Sequence, residues 1–266
     1  SIKPHLEKGR AARSNVSGRF EADRRERFDD DWLSLAEDDR KGRKTTVTIE
    51  RPKTIINKVN SPYVGFDRSI NPYRGCEHGC IYCFARPTHA SHGLSPGLDF
   101  ETKLFAKPDA ADLLKRELSK PRYKVRSIAI GTNMDAYQPI ERDMKIVRSV
   151  LEVLSDFNHP VSILTKSNLI MRDIDILAPM AEKNLTRCMI SITTQDRALA
   201  RAMEPRSLEE RVELRREPLR GPRSCEASAS LARETKTQAF SLHLFWFGCR
   251  DAYGLGWMLS VCGASW

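Results

Sequence analysis

No apolar stretch of roughly 18 residues occurs anywhere in the 266-residue sequence, so no segment is long and apolar enough to cross a bilayer as a helix. The opening Ser1-Ile2-Lys3-Pro4-His5 lacks the apolar core of a secretory signal, so a cytoplasmic address and no membrane partner are expected. Acidic groups are in deficit: 35 Asp and Glu face 44 Lys and Arg, and the formal charge of +9 favours anionic partners such as nucleic acid without identifying one. An even cysteine count is also missing. Seven cysteines, three of them packed into eight residues, fit thiols or metal ligands better than a disulfide framework. What is present is a hydrophobic fraction of 40%, enough for a sizeable core, and this excludes a fully disordered chain.

Between Glu21 and Lys44, 16 of 24 residues are charged with both signs mixed, so residues 1–51 read as a mostly disordered arm. A short helix there, around Phe28, Trp32, Leu33 and Leu35, would have one apolar face. From Ser127 the pattern alternates. Ile128-Ala129-Ile130 reads as a strand and Glu141 to Asp156 as a helix; Val161 to Leu164 and then Ile170 to Lys183 repeat the unit, and Arg187 to Ile192 is a further strand. An earlier unit pairs a strand near Asp67 to Asn71 with a helix from Ala110 to Ser119, whose Leu113, Leu114 and Leu118 form a stripe. Repeated strand then helix predicts a parallel sheet, here an α/β partial (β/α) barrel that is incomplete after the fourth strand, with its chemistry at the strand C-termini.

The densest chemistry lies in Asn71-Pro72-Tyr73-Arg74-Gly75-Cys76-Glu77-His78-Gly79-Cys80-Ile81-Tyr82-Cys83. Spacings of four and three set three soft thiolate donors on one small loop that two glycines allow to curl. Three thiolates would serve three irons of a cubane and leave the fourth open to another ligand. Two other readings stay open: a zinc site with His78, His89 or His92 as fourth ligand, and a thioredoxin-like pair at Cys80 and Cys83.

The spacing Cys76-x3-Cys80-x-Tyr82-Cys83 resembles the cluster motif of the radical S-adenosylmethionine (radical SAM) superfamily. Asn71 to Cys76, Gly131-Thr132-Asn133 with Tyr137-Gln138-Pro139, and Thr165-Lys166-Ser167 resemble its branch related to spore photoproduct lyase, often described as DNA repair photolyase-like. The resemblance covers roughly residues 55 to 206. It implies a [4Fe-4S] cluster on Cys76, Cys80 and Cys83, bound S-adenosyl-L-methionine, its reductive cleavage to a 5′-deoxyadenosyl radical, and an electron donor such as a flavodoxin or ferredoxin. It further implies cofactor contacts from Tyr82 to the adenine, from Gly131, Thr132 and Asn133 to the amino group, from Lys166 to the carboxylate, and from Ser191 and Thr193 to the ribose or carboxylate. In the spore enzyme of that branch a hydrogen-donating cysteine lies at the end of the second strand, where this sequence reads Gly131, so the resemblance does not extend to the same dimer-splitting chemistry.

Past Met203-Glu204-Pro205-Arg206 the family pattern stops. An Arg-rich stretch from Arg211 to Arg223 follows, with three of the four tryptophans after Phe245. Residues 52–206 therefore read as the radical SAM core and 207–266 as an atypical tail with no assigned fold, apart from a strand in the run Phe240 to Phe247. A reading-frame change or truncation would account for the tail and would leave the last parallel strand with an uncovered edge. Besides a lyase-like radical enzyme, two readings remain: a zinc-stabilised nucleic-acid-binding module, and an inactive remnant that keeps the cluster loop.

Overall fold

The computed structural model describes residues 10–12, 14–15, 17, 44–194 and 196–206, together with strands Ser241–Phe245 and Trp257–Cys262. In chain order the elements are β1 (Thr46–Ile49), β2 (Ile56–Lys58), β3 (Arg68–Ile70), β4 (Tyr73–Arg74), α1 (Leu98–Thr102), β5 (Lys103–Ala106), α2 (Ala110–Leu118) and β6 (Ile128–Ile130). They continue with α3 (Glu141–Met144), α4 (Ile146–Asp156), β7 (Val161–Thr165), α5 (Ile174–Glu182), β8 (Thr186–Ile192), α6 (Arg197–Met203), β9 (Ser241–Phe245) and β10 (Trp257–Cys262). Two 3-10 helices, Arg86–His92 and Asn168–Asp173, complete the set among the described residues.

Strands β3, β6, β7 and β8 lie side by side in chain order and parallel, with Ile70 opposite Ile130, Ile130 opposite Ile163 and Ile163 opposite Cys188. This is the predicted α/β core of four strand-helix units, a partial (β/α) fold. Ile128, Ile130, Val161, Ile163, Cys188 and Ile190 are buried in one core cluster with Val147, Val150, Leu151 and Leu154 of α4 and Leu177 and Met180 of α5. The α4 residues fall at helical spacing on a single stripe, and each fully buried side chain contributes roughly 1.5–3 kcal/mol.

The predicted helix from Glu141 to Asp156 is two helices. Lys145 between them takes a left-handed φ of 51°, and the buried Glu141 carboxylate accepts the Val147 amide (3.0 Å) at the start of α4. The preceding helix thus supplies the cap that its successor lacks. The predicted helix from Ile170 begins as the 3-10 turn Asn168–Asp173, which Ser167 caps by accepting from Leu169 N, and becomes α-helical at Ile174.

Two expectations need correction. The reading of residues 1–51 as disordered does not hold for Thr46–Ile49, which pairs in parallel with β5 in a second sheet of order β1-β5-β4. All four side chains of Thr46-Val47-Thr48-Ile49 are exposed, so backbone pairing with β5 holds this strand even though its polar and apolar residues alternate. The edge of β8 is also not bare: β10 runs antiparallel along it from Trp257 opposite Ile192 to Cys262 opposite Arg187, and β9 pairs with β10. The strand foreseen between Phe240 and Phe247 is therefore present as β9, at the outer side of a seven-stranded sheet. The helix expected around Phe28 to Leu35 and the Arg-rich stretch from Arg211 to Arg223 lie outside the described residues.

Candidate active site

The three cysteines of the motif occupy the loop that leaves β4. Gly75 and Gly79 adopt φ values of 75° and 62° there, a region that L side chains rarely enter. A Cβ on Gly75 would sit 2.8 Å from both Phe100 O and Leu104, and one on Gly79 would sit 2.9 Å from a Glu101 carboxylate oxygen. The loop therefore presses directly on α1, and Cys76 N donates to Phe100 O at 3.0 Å to fix it there.

Buried polar groups hold the rest of the loop. Arg86 donates two hydrogen bonds to Cys80 O (3.0 and 3.3 Å) and pairs with the buried Glu101 at 2.6 Å. Glu101 also accepts the amides of Ala11 (3.1 Å) and Ala12 (2.9 Å), so a piece of the N-terminal arm straps across the base of the loop. Glu77, between the first two cysteines, accepts from Thr45 (2.6 Å) and pairs with Arg206 (2.5 Å). These are charge-assisted contacts, with the Glu101 carboxylate fully buried and the Arg206 side chain partly exposed.

All three motif cysteines are free thiols, Cys76 and Cys80 buried and Cys83 half-buried. Burial pushes the Cys76 thiol well above its usual value, reinforced by the nearby Asp135 and Cys80 charges. Burial likewise pushes Cys80 up to about 12, against the pull of the Lys166 ammonium and with the further push of Glu204 and Cys83. Burial thus disfavours a bare thiolate at Cys76 and Cys80.

A second group of side chains gathers at the ends of β7 and β8. Lys166 donates to Ser191 Oγ at 2.8 Å, lies 3.3 Å from Glu204 Oε1, and stands 5.4 Å from the centre of the Tyr82 ring. Thr193 donates to the same Glu204 oxygen at 2.6 Å, and the Tyr82 hydroxyl bonds both Glu204 and Thr193. Four of the predicted cofactor residues, Tyr82, Lys166, Ser191 and Thr193, are thus brought together around one buried carboxylate. The loop and this pocket are joined directly, because Ile81 N donates to Met203 O (3.0 Å), one residue before Glu204.

Gly131, Thr132 and Asn133 stand apart from that pocket, at the end of β6. Thr132 Oγ1 and Asn133 N both donate to Asn71 Oδ1, at 3.1 and 3.2 Å. Gly131 has φ 92°, and a Cβ on it would lie 2.1 Å from Leu164 O. Beyond them Asp135 takes hydrogen bonds from Thr165 Oγ1 (2.5 Å) and Lys166 N (2.7 Å) and faces His78 at 3.6 Å. Burial would raise its carboxyl, but His78 and these donors hold it at about 2.

Two buried carboxylates at the site, Glu204 and Asp135, were not among the predicted site residues. Tyr137-Gln138-Pro139 and Met203-Glu204-Pro205-Arg206 were visible as motifs, yet nothing local shows Glu204 reaching back 122 residues to Tyr82. Each histidine weighed as a zinc ligand has neighbours of its own, while His78 Nδ1 and Nε2, His89 Nδ1 and His92 Nε2 are buried without a hydrogen bond. His78 faces Asp135, His89 Nε2 bonds Lys103 O (2.9 Å), and the His92 ring stacks on Phe105 at 4.5 Å. Among the described residues no three His, Cys, Asp or Glu side chains converge as a single metal ion requires. A cubane spreads its ligands more widely, and soft, unpaired thiols on a glycine-rooted loop match its donor set.

The Radical SAM superfamily model matches residues 70–216, more than half of the chain and all three motif cysteines. Uncharacterized proteins of Mycobacterium bovis and Mycobacterium tuberculosis are 37% identical over 153 residues, which is 57% of this chain and 45% of theirs. An uncharacterized protein of Methanocaldococcus jannaschii is 33% identical over 126 residues, 47% of this chain and 44% of that one. The chain thus spans less than half the length of these relatives. No solved structure matches it.

Proposed function

The chain belongs to the radical SAM superfamily, whose members use a [4Fe-4S] cluster and S-adenosyl-L-methionine; from that premise we propose that it is a radical enzyme of the lyase-like kind, acting on nucleic acid as a DNA repair photolyase-like protein does. When bound and reduced, the cluster supplies the electron that cleaves the cofactor's sulfonium carbon–sulfur bond and so yields a 5′-deoxyadenosyl radical. The residues around it bind, orient and keep water out.

Cys76, Cys80 and Cys83 would hold three irons. Lys166, supported by Ser191, presents an ammonium to the cofactor carboxylate, and Thr193 offers a hydroxyl on the same strand end. Tyr82 is 45% exposed, with the Lys166 ammonium 5.4 Å from its ring centre, and its ring would stack on the adenine. Gly131, together with Thr132 and Asn133, which bond Asn71 at the end of β6, would reach the cofactor's amino group from the far side of the Lys166 pocket. The formal charge of +9 supports an anionic substrate. An electron donor such as a flavodoxin or ferredoxin and a cytoplasmic setting, where thiols stay reduced, complete the proposal.

One observation carries this reading: a loop of three free thiols lies one backbone hydrogen bond away from a pocket that joins Lys166, Ser191, Thr193 and Tyr82. The test is anaerobic reconstitution with iron and sulfide, reduction with dithionite, and assay of 5′-deoxyadenosine from S-adenosyl-L-methionine, with and without oligonucleotides. The proposal expects 5′-deoxyadenosine and its stimulation by nucleic acid. Iron–sulfur protein that never yields 5′-deoxyadenosine contradicts the catalytic reading, and turnover indifferent to every oligonucleotide contradicts the substrate.

A further inference from the structure

The side chain of Gln138 is fully buried and makes two hydrogen bonds to the backbone on either side of the first motif cysteine. Its Oε1 accepts from Glu77 N at 3.1 Å, and its Nε2 donates to Gly75 O at 3.3 Å. A carboxamide carries one acceptor and one donor side by side, so it pairs with a chain segment as a neighbouring peptide would. Only this orientation of the amide satisfies both backbone groups. Neither group has water available, so each depends on Gln138 for a partner.

Three residues earlier, Asp135 does the same for the pocket. Its carboxylate takes Lys166 N (2.7 Å) and Thr165 Oγ1 (2.5 Å) at the end of β7. The segment between is stiffened by its own bonds: Tyr137 N donates to the Asp135 carboxylate at 2.9 Å, and Gln138 N donates to Asp135 O at 3.4 Å. One short stretch after β6 therefore grips the cysteine loop at one end and the base of Lys166 at the other.

We infer that Gln138 is a positioning residue that sets Cys76 in register with the Lys166 pocket, so that whatever the thiols hold meets the ligand bound by Lys166. This rests on the reading of Cys76, Cys80 and Cys83 as cluster ligands. Gln138 touches neither thiol nor ligand; it acts through the Cys76 backbone. Outer partners of this kind typically change metal affinity by about 10- to 100-fold when lost. Gln138→Met keeps the length and removes both hydrogen bonds, whereas Gln138→Glu keeps the shape and the acceptor but replaces the amide donor.

The experiment reconstitutes wild type, both variants and Cys76→Ala anaerobically. It follows iron loss to a chelator, the electron paramagnetic resonance spectrum of the reduced protein with and without S-adenosyl-L-methionine, and the thermal unfolding of the protein before reconstitution. Expected are iron loss at least ~10-fold faster in Gln138→Met, a smaller acceleration in Gln138→Glu, and a muted spectral response to the ligand in both. Wild-type rates and spectra in both variants overturn the inference. If Gln138→Met does not fold, Gln138→Glu decides on the same readouts. If wild type carries no iron–sulfur signal, or Cys76→Ala matches it, the ligand reading fails first, and that result is distinct.

Discussion

Replacing Lys166 with Met removes an ammonium from a place where it serves two masters. In the protein alone it donates to Ser191 at 2.8 Å and neutralises the buried Glu204 at 3.3 Å. Breaking a buried pair costs about 3–5 kcal/mol. Glu204 keeps hydroxyl donors in Tyr82 and Thr193 and the Lys166 side chain is 18% exposed, so the cost falls to roughly 1–3 kcal/mol. With ligand, the loss is one charge-assisted hydrogen bond to a carboxylate, about 1.5–3 kcal/mol, which is a weakening of roughly 10- to 150-fold in Kd. Equilibrium dialysis of S-adenosyl-L-methionine against anaerobic, reconstituted protein reads this directly, and thermal unfolding reads the stability part separately. A Lys166→Met protein that binds within twofold of wild type while folding normally would refute the assignment.

Three further outcomes follow from other residues. Gly131→Ala forces a left-handed backbone at φ 92° and a Cβ 2.1 Å from Leu164 O; strain and overpacking together cost roughly 2–5 kcal/mol, so Tm should fall by about 5 °C or more, and an unchanged Tm would show that the turn relaxes freely. The Asp99 carboxyl, opposed by burial but bonded by Ser95 N, Lys103 and Asn15, is held below its ordinary 3.8. Its stabilisation is complete above 3.8 and is lost as pH falls through the lower folded value, so the stability gap between wild type and Asp99→Asn should be flat near neutrality and shrink below pH 3.8. Chemical denaturation across that range checks it, and a gap that widens on acidification contradicts the sign. Glu101→Gln weakens the pair with Arg86 and the hold on Ala11 and Ala12, so limited proteolysis should cut the N-terminal arm faster than in wild type; equal rates would contradict the strap.

Much of the core was legible because burial imposes period on sequence. Ile128-Ala129-Ile130 is apolar throughout and Val161, Ile163 and Leu164 are apolar because both strands lie inside a parallel sheet, and α2 shows its buried Leu113, Leu114 and Leu118 at helical spacing. The cysteine loop was legible for a different reason, that few structures need three thiols at such spacing. The small sheet was not, because β4 is only two residues long, although its Tyr73 is packed in the core, and β1 is a four-residue strand with every side chain exposed. The break at Lys145 was hidden because Glu141 caps α4 from outside its own sequence window. The pocket was half legible. Lys166, Ser191 and Thr193 sit at predicted strand ends, but Glu204 joins them only through contacts of long sequence separation. The antiparallel cover on β8 has no counterpart in the strand-helix rhythm that revealed the rest.

The central claim is that Cys76, Cys80 and Cys83 hold an iron–sulfur cluster, and metal and acid-labile sulfide analysis of anaerobically purified and reconstituted protein tests it most directly. About four irons and four sulfides per chain are expected, falling sharply when any of the three cysteines is replaced by alanine. One tightly bound zinc with no labile sulfide, unaffected by iron reconstitution, would contradict it.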